Sequence, residues 1–203
     1  MARAMIVDLF VEDQAHEQFV SAVVRRLAKD NNVPVEMHAR CARGGHGRVI
    51  SELGLYQRGT EQGLGLLARP DILVVAIDAN CKRLPAARRE ILGSLQESFK
   101  PLTAIACPDP HVERWYVADP ASFKTVVGVA PRCARRKCER RYYKKMLSEA
   151  VTQAGHVSTL GGIEFAAELV EAMDLDRAAQ SDRSLKDFLD DIKPRLKLWA
   201  NAG

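Results

Sequence analysis

The feature that most constrains the fold is an uninterrupted apolar run, Ile-Leu-Val-Val-Ala-Ile, at residues 72–77 directly after Asp71. Polar and apolar side chains do not alternate along it, so both faces of such a strand must be covered. Runs of this kind are typical of the centre of a parallel sheet. Segments 6–11, 33–39 and 102–107 are further predicted strands, and helical patterns separate them. The order predicts an α/β fold with a mostly parallel sheet flanked by helices.

Apolar residues at three- and four-residue steps predict helices in the rest of the chain. These helices cover about 14–30, 48–57, 85–95, 140–154, 163–173 and 185–199, and Pro194 is expected to kink the last one. Segment 121–129 is compatible with a short helix or a loop. We expect an α/β domain over residues 1–130 and a helical extension over 131–203 packed on it. A chain of 203 residues can bury a stable core without a metal or disulfide.

The net charge of +4 conceals two regions of opposite charge. Residues 131–146, the basic segment, carry eight Lys and Arg against one Glu, and residues 164–191, the acidic tail, carry nine acids against three bases. The basic segment also holds Tyr142 and Tyr143, which could stack on bases. It could therefore bind a phosphate backbone. Two alternatives are a solvated helix face and ion pairs with the acidic tail.

Cysteine usage and the N-terminus both indicate the cytoplasm. Five scattered cysteines disfavour a secreted disulfide framework and predict reduced thiols: Cys41, Cys81, Cys107, Cys133 and Cys138. The N-terminus lacks the pattern of a signal peptide, and no apolar run approaches the roughly 20 residues of a membrane span. We expect a cytoplasmic protein without membrane contact.

Acidic residues follow three of the four predicted strands. Glu12 and Asp13 follow the first, Asp78 the third, and Asp109 and Glu113 the fourth. Ligands of parallel sheets gather at the carboxyl ends of the strands, and carboxylates there can hold Mg²⁺ or Mn²⁺. The alternative is that these acids only begin helices, where negative charge is favoured.

Three strings in the chain resemble the Toprim domain, the metal-binding domain shared by topoisomerases, primases and OLD-family nucleases. Val7-Asp-Leu-Phe-Val-Glu12 matches its strand-end glutamate, and Asp78-Ala-Asn80 matches its later Asp-x-Asp. Asp109-Pro-His-Val-Glu-Arg-Trp115 resembles a segment of small stand-alone Toprim-like proteins, which are often encoded beside an ATPase in bacterial phage-defence loci. The likeness covers about residues 5–120 and implies a Toprim-like, Rossmann-like fold.

The resemblance implies a metal-dependent nuclease with Mg²⁺ or Mn²⁺ as cofactor. Glu12, Asp78 and Glu113 would be catalytic, and the metal ligands would be Glu12, Asp78, Asn80, Asp109 and Glu113, with Asp13 in support. Asn80 departs from the family pattern, because a neutral amide stands where the second acid is expected. Either Glu113 or Asp109 supplies the missing charge, or the domain binds metal weakly and does not cleave.

The expected nucleic-acid contacts lie in three places: a Gly-rich loop after the second strand, the turn after the third strand, and the basic segment. They are Arg43, His46, Arg48, Lys82, Arg135, Arg136, Lys137, Arg140, Arg141 and Lys144. The Gly-rich loop lacks the Gly-Lys-Ser/Thr ending of a Walker loop, and its alternative is a plain turn.

The sequence therefore predicts a nuclease for DNA, with RNA such as tRNA second, acting in anti-phage defence beside an ABC/OLD-type ATPase; a homo-oligomer is compatible with it. Two alternatives are a catalytically degenerate subunit that binds the ATPase or nucleic acid, and an α/β protein that binds small-molecule phosphates. His16, on the apolar face of its helix, is expected to be a hydrogen-bonded, partly buried residue. Trp115 and Tyr116 are expected to be core anchors.

Overall fold

The computed structural model describes residues 3–42, 45–63, 68–131, 133–134 and 136–202. Within these residues four parallel strands form one sheet in the order β2-β1-β3-β4. The strands are β1 (Met5–Val11), β2 (Val35–Cys41), β3 (Ile72–Ala76) and β4 (Thr103–Ala106). All of β3 is buried, as its apolar run predicts. The predicted α/β fold with a parallel sheet and a helical C-terminal region is confirmed.

Helices cover both faces of the sheet and form the C-terminal region. They are α1 (Gln14–Asp30), α2 (His46–Glu61), α3 (Leu84–Gly93), α4 (Glu113–Tyr116), α5 (Pro120–Val127), α6 (Arg140–Gln153), α7 (Ala166–Ala172), α8 (Leu175–Ser181) and α9 (Arg183–Ala202). Short 3-10 turns lie at Lys100–Leu102 and Ile163–Phe165. The ambiguous segment is helix α5, and α9 continues through Pro194. The sequence did not predict α8, whose N-terminus is capped by the Asp174 side chain.

Side chains of β1 alternate between two hydrophobic layers. Leu9 belongs to a layer that α1 and the C-terminal helices cover, and Phe10 belongs to the layer under α2 and α3. Trp115 and Tyr116 are fully buried in the first layer, where the Trp115 ring stacks on Phe188 at 5.8 Å. The expectation that these two residues anchor the core is confirmed. Helices on both sides of residue 130 share this layer, and the boundary at that residue stays a prediction.

Two of the cysteines depart from the expectation of reduced thiols. Cys81 and Cys138 form a disulfide, with Cα atoms 4.8 Å apart and a separation of 57 positions in the sequence. The expectation was wrong for this pair because the fold brings together the turn after β3 and the segment before α6, which sequence spacing does not reveal. Cys107 is a buried thiol, and burial raises its pKa to about 12. Among the described residues, no helix is long and apolar enough to cross a membrane.

Candidate metal centre

The candidate site lies at the carboxyl ends of β1 and β3. The chain leaves β1 toward β2 on one side and later returns to β3 on the other, so a crevice opens between β1 and β3. Glu12 directly follows β1, and its backbone N–H donates to Ala76 O at 3.0 Å. Asp78 lies two residues after β3, and its backbone N–H donates to Glu12 Oε2 at 3.2 Å. The two acids predicted at these strand ends are therefore neighbours, both buried.

His16 links this pair to the start of α1. Its ring is fully buried, with Nδ1 2.8 Å from Asp13 Oδ1 and Nε2 2.9 Å from Asp78 Oδ1. An ionised carboxylate only accepts hydrogen bonds, so both ring nitrogens donate and His16 is an imidazolium. Burial opposes the charge, but Asp78 and Asp13 outweigh it and hold the pKa of His16 well above its usual value. Asp13 also caps α1 by accepting from the backbone N–H of Ala15.

Asp78 accepts hydrogen bonds on both of its carboxylate oxygens. Oδ1 accepts from His16 and from the backbone N–H of Val112 at 2.9 Å, and Oδ2 accepts from His111 Nδ1 at 2.9 Å. Burial by itself would raise the pKa of Asp78, but His16 and His111 lower it. Asp78 is therefore ionised and held in one orientation by contacts from α1 and from the segment after β4.

The two glutamates near Asp78 have the opposite shift. Burial, and next the charge of Asp78, raise the pKa of Glu12 and of Glu113 above their usual values. Glu113 is 2% exposed, and among the described residues its Oε2 has no hydrogen-bond partner. The buried Nε2 of His111 likewise lacks a partner there. Negative charge at this site is thus incompletely compensated.

Lys144 of α6 reaches the edge of the site from the basic segment. Its Nζ lies 3.5 Å from Asp13 Oδ2 and 3.6 Å from Glu113 Oε1, and its side chain is half exposed. These residues line a cleft of about 270 Å³ together with Gln14, Ala15, Leu160, Gly161 and Ile163. The cleft gives solvent a route to the carboxylates beside Asp78.

Glu12, His16 and Asp78 could hold a metal ion, because a ligand atom from each lies within 4.8 Å of the others. Two carboxylates and an imidazole suit Mn²⁺, which accepts nitrogen as well as oxygen ligands, better than Mg²⁺. His16 can ligate only if Nε2 releases its proton and leaves Asp78 Oδ1. Without that change, Glu12 and Asp78 are the available ligands, and the His16 imidazolium neutralises part of their negative charge.

Three predicted ligands lie outside this group. Asp109 Oδ1 pairs with Lys137 Nζ at 2.9 Å. Asn80 has a left-handed backbone, φ 53°, and its Nδ2 donates to the Asp78 carbonyl at 3.3 Å. Glu113 lies beside the group: burial and the charge of Asp78 raise its pKa, and Lys144 Nζ lies 3.6 Å from its Oε1. The structure therefore brings Glu12 and Asp78 together and leaves the other three around them.

Sequence reasoning missed the two histidines that hold Asp78. His16 was expected to be a hydrogen-bonded, partly buried residue: the hydrogen bonds are confirmed, but the ring is fully buried. The sequence did not predict its place between two aspartates. A signal was present: His16 follows Asp13 by three residues at a helix start, where the first turn brings the two side chains together. His111 gave no signal beyond its position between Asp109 and Glu113.

The predicted nucleic-acid contacts are distributed around the centre. Gly45 of the Gly-rich loop lies close to Glu12: a Cβ on it would be 3.9 Å from Oε1. His46 and Lys82 both pair with Glu90 of α3. Arg48 pairs with Glu52. Arg43, Arg135 and the side chain of Arg140 lie outside the described residues.

Two cations of the basic segment reach carboxylates around the site, and its Cys133 borders Ser181 and Asp182 of the acidic tail. Arg136 pairs with Glu139, Lys137 with Asp109, and Lys144 with the two carboxylates named above. Arg141 is exposed and lines a shallow cleft on α6. Among the described side chains, none of the basic segment forms an ion pair with the acidic tail. The alternative of ion pairs between these two regions therefore has no support in the described part of the chain.

Comparisons with protein-family models, with curated proteins and with solved structures find no match to this chain.

Proposed function

We propose that the protein is a metal-dependent nuclease that hydrolyses phosphodiester bonds of DNA, with RNA such as tRNA as a second substrate. The observation that supports it most is the buried Glu12–His16–Asp78 group in the crevice between β1 and β3. Oxygen and imidazole donors at such a crevice suit a divalent ion. A bound Mg²⁺ or Mn²⁺ would supply Lewis-acid stabilisation of a phosphodiester under attack.

Glu12 and Asp78 would hold the ion in this proposal. Asp78 is suited to the role because His16, His111 and a backbone N–H fix its carboxylate. His16 acts as a positioning residue in the protonated state, and it can become a ligand when its proton leaves. The Toprim resemblance supports the same two acids independently of the geometry.

Glu113 would hold a proton and give it to the leaving oxygen. Its pKa is raised by burial and by Asp78, so a protonated population persists closer to neutral pH than for an exposed glutamate. A general acid works best when its pKa lies near the operating pH. The cleft lined by Glu113 and Lys144 gives a substrate access to this carboxyl.

Basic side chains around the centre would bind the phosphates on either side of the cleaved bond. Lys144 and Lys137 lie on the α6 side of the centre, and His46 and Arg48 lie on the α2 side. Their present partners are carboxylates that a phosphate could replace. With the family resemblance, we further propose a cytoplasmic protein that acts beside an ABC/OLD-type ATPase in phage defence.

A second candidate is a binding subunit that does not cleave. One observation favours it: the His16 imidazolium already supplies positive charge between Asp13 and Asp78, which is the charge a metal would otherwise provide. Asn80 also favours this candidate, because a neutral amide stands where a second acid would contribute negative charge for a metal ion. In that case the protein would bind nucleic acid or the ATPase with no requirement for a divalent ion.

Cleavage assays with matched variants separate the two candidates. Plasmid DNA and tRNA are incubated with wild type, Glu12→Gln and Asp78→Asn under Mg²⁺ or Mn²⁺, alone and with the neighbouring ATPase. Glu12→Gln keeps an oxygen that can accept from the Asp78 N–H, so its fold is expected to persist. The proposal predicts cleavage by wild type and a loss of at least about a hundredfold in each variant.

Asp109→Asn is the matched control, because it removes a nearby acid outside the metal group. It is expected to retain cleavage within about threefold of wild type. If wild type cleaves under none of these conditions, the nuclease proposal is excluded and the binding subunit remains as the candidate. Equal cleavage by wild type and both variants would instead contradict the assignment of the site.

A further inference from the structure

Cys81 and Cys138 join two parts of the chain that both border the metal centre. Cys81 lies three residues after Asp78, in the turn after β3. Cys138 lies in the basic segment two residues before α6. Their Cα atoms are 4.8 Å apart, within the range that a disulfide spans without movement of the backbone. The bond therefore attaches the basic segment to the turn that carries Asp78.

Weak surface contacts accompany this bond. Lys137, the neighbour of Cys138, pairs with Asp109 in a half-exposed ion pair. Lys144, about one turn into α6, lies beyond hydrogen-bond distance from its two carboxylates. Exposed ion pairs of this kind contribute little free energy, so the disulfide is the strongest restraint on this end of the segment. Farther along α6 the segment is held by the fully buried Tyr143.

Both cysteines of the disulfide are on the surface. Cys81 and Cys138 are exposed, whereas the Cys107 thiol is fully buried. Thiol–disulfide exchange needs direct attack on a sulfur atom, so an exposed disulfide can be reduced by a dithiol protein or by glutathione. In a reducing compartment an accessible disulfide of this kind is typical of regulation and not of permanent support.

We infer that Cys81 and Cys138 form a reversible redox site that locks the basic segment against the metal centre. In the oxidised state the lock holds Lys137 on Asp109, so the charge of Lys137 is neutralised. Two thiols of a reductant supply two electrons and two protons; the S–S bond breaks, Cys81 and Cys138 become thiols, and the reductant becomes a disulfide. This end of the segment can then leave Asp109 and offer Lys137 to phosphates, whereas Lys144 stays in place with α6. The last step rests on the proposed function, whereas the lock itself does not.

Limited trypsin digestion tests the lock without any reference to nucleic acid. Full-length wild type is oxidised with glutathione disulfide or reduced with a dithiol, and cleavage after Arg136 and Lys137 is followed by mass spectrometry. The inference predicts cleavage about tenfold faster in the reduced protein, because local opening is no longer restrained. Cys81→Ser and Cys138→Ser should be cleaved at the reduced rate under both conditions. Equal rates in oxidised and reduced wild type would overturn the inference.

Cys133→Ser is the matched control, since Cys133 is an exposed cysteine of the same segment outside the disulfide. It should keep the redox dependence of wild type. Mass spectrometry of the oxidised protein should also show a peptide pair linked through Cys81 and Cys138, and its absence would overturn the inference as well. Should Cys81→Ser and Cys138→Ser misfold, the oxidised and reduced wild-type proteins still provide the test.

Binding of a labelled DNA duplex at low salt without divalent ions tests the consequence for phosphates. The reduced protein and Cys138→Ser should bind about two- to fivefold more tightly than the oxidised protein, because the Lys137 cation becomes available. Redox-dependent cleavage by trypsin with no DNA binding in either state would support the lock and contradict the proposed function. The two failures are thus distinguishable.

Discussion

Asp78 and Asp119 are both buried aspartates with several hydrogen bonds, yet their surroundings differ in charge. Asp119 accepts from Nε and Nη2 of Arg177 at 2.9 and 2.6 Å, from Ser122 Oγ at 2.6 Å, and from the Asp174 N–H at 3.0 Å. Burial would raise its pKa, but the bonds from Arg177 and Ser122 lower it. The charge of one carboxylate is there balanced by one guanidinium, and the ion pair links the start of α5 to α8.

Asp78 stands in a group whose charges do not balance. Four carboxylates, those of Glu12, Asp13, Asp78 and Glu113, face the cations of His16 and Lys144, so full ionisation of the acids would leave an excess of two negative charges. Burial of like charges is costly unless a cation joins them. Burial and hydrogen bonding alone therefore do not distinguish a structural acid from a candidate metal ligand; the uncompensated charge does.

The largest expected effect concerns the structural acid. Asp119→Ala should lower the free energy of unfolding by about 3 kcal/mol, because it leaves a guanidinium, a hydroxyl and an N–H without their acceptor. Thermal and urea unfolding measure it. Asp174→Ala, which removes the exposed cap of α8, is the matched control and should cost about 1 kcal/mol. Equal small losses in both variants would remove the structural half of the comparison.

Glu113 should behave in the opposite way. Glu113→Gln is expected to slow cleavage about a hundredfold, because it removes the proposed proton donor. It should also leave the free energy of unfolding at pH 7 unchanged or raise it by up to about 1 kcal/mol, because a buried charge is lost. Kinetics and urea unfolding of the same preparation measure both. A large loss of stability would make Glu113 a structural residue like Asp119.

The pH dependence of stability separates the two acids further. The folded-state pKa of Asp119 is lowered, so its contribution is present above its unfolded pKa, about 3.9, and disappears as the pH falls below it. The folded-state pKa of Glu113 is raised, so its ionisation destabilises the fold as the pH rises above about 4.3. Unfolding from pH 3 to 7 should show Glu113→Gln matching wild type at pH 3 and equalling or exceeding it at pH 7. The opposite trend would contradict the assigned shifts.

The smallest expected effect is on the salt dependence of DNA binding. If Lys144 contacts a phosphate, Lys144→Gln should reduce the slope of log affinity against log salt by about 0.9. Lys29→Gln is the control, because Lys29 lies at the opposite end of α1 and pairs with Glu171. Fluorescence titrations over a range of NaCl concentrations measure both slopes. A slope that Lys144→Gln leaves unchanged would exclude this residue from the phosphate contacts.

The strand-end acids were the part of the site that the sequence could predict. The apolar run before Asp78 and the strand before Glu12 indicate parallel neighbours, and the carboxyl ends of such strands share one edge of the sheet. The contacts around them were beyond the sequence. His16 meets Asp78 across 62 residues, and only the order β2-β1-β3-β4 brings them together.

The sequence was less informative after residue 107. Apolar periodicity located α6, α7 and α9, but α8 has only Leu175 and Ala178 as buried residues and depends on its Asp174 cap. The disulfide depends on a contact between two turns, for which neither periodicity nor cysteine spacing carries a signal. Tertiary contacts, and not local preferences, determine these features.

The proposed metal centre requires a divalent ion at Asp78, and Mn²⁺ binding measured by calorimetry or electron paramagnetic resonance tests for it. We expect saturable binding of Mn²⁺ by wild type, at least about tenfold weaker binding by Asp78→Asn and Glu12→Gln, and unchanged binding by Asp119→Asn. Wild-type protein that binds no Mn²⁺, or Asp78→Asn that binds it as tightly as wild type, would contradict it.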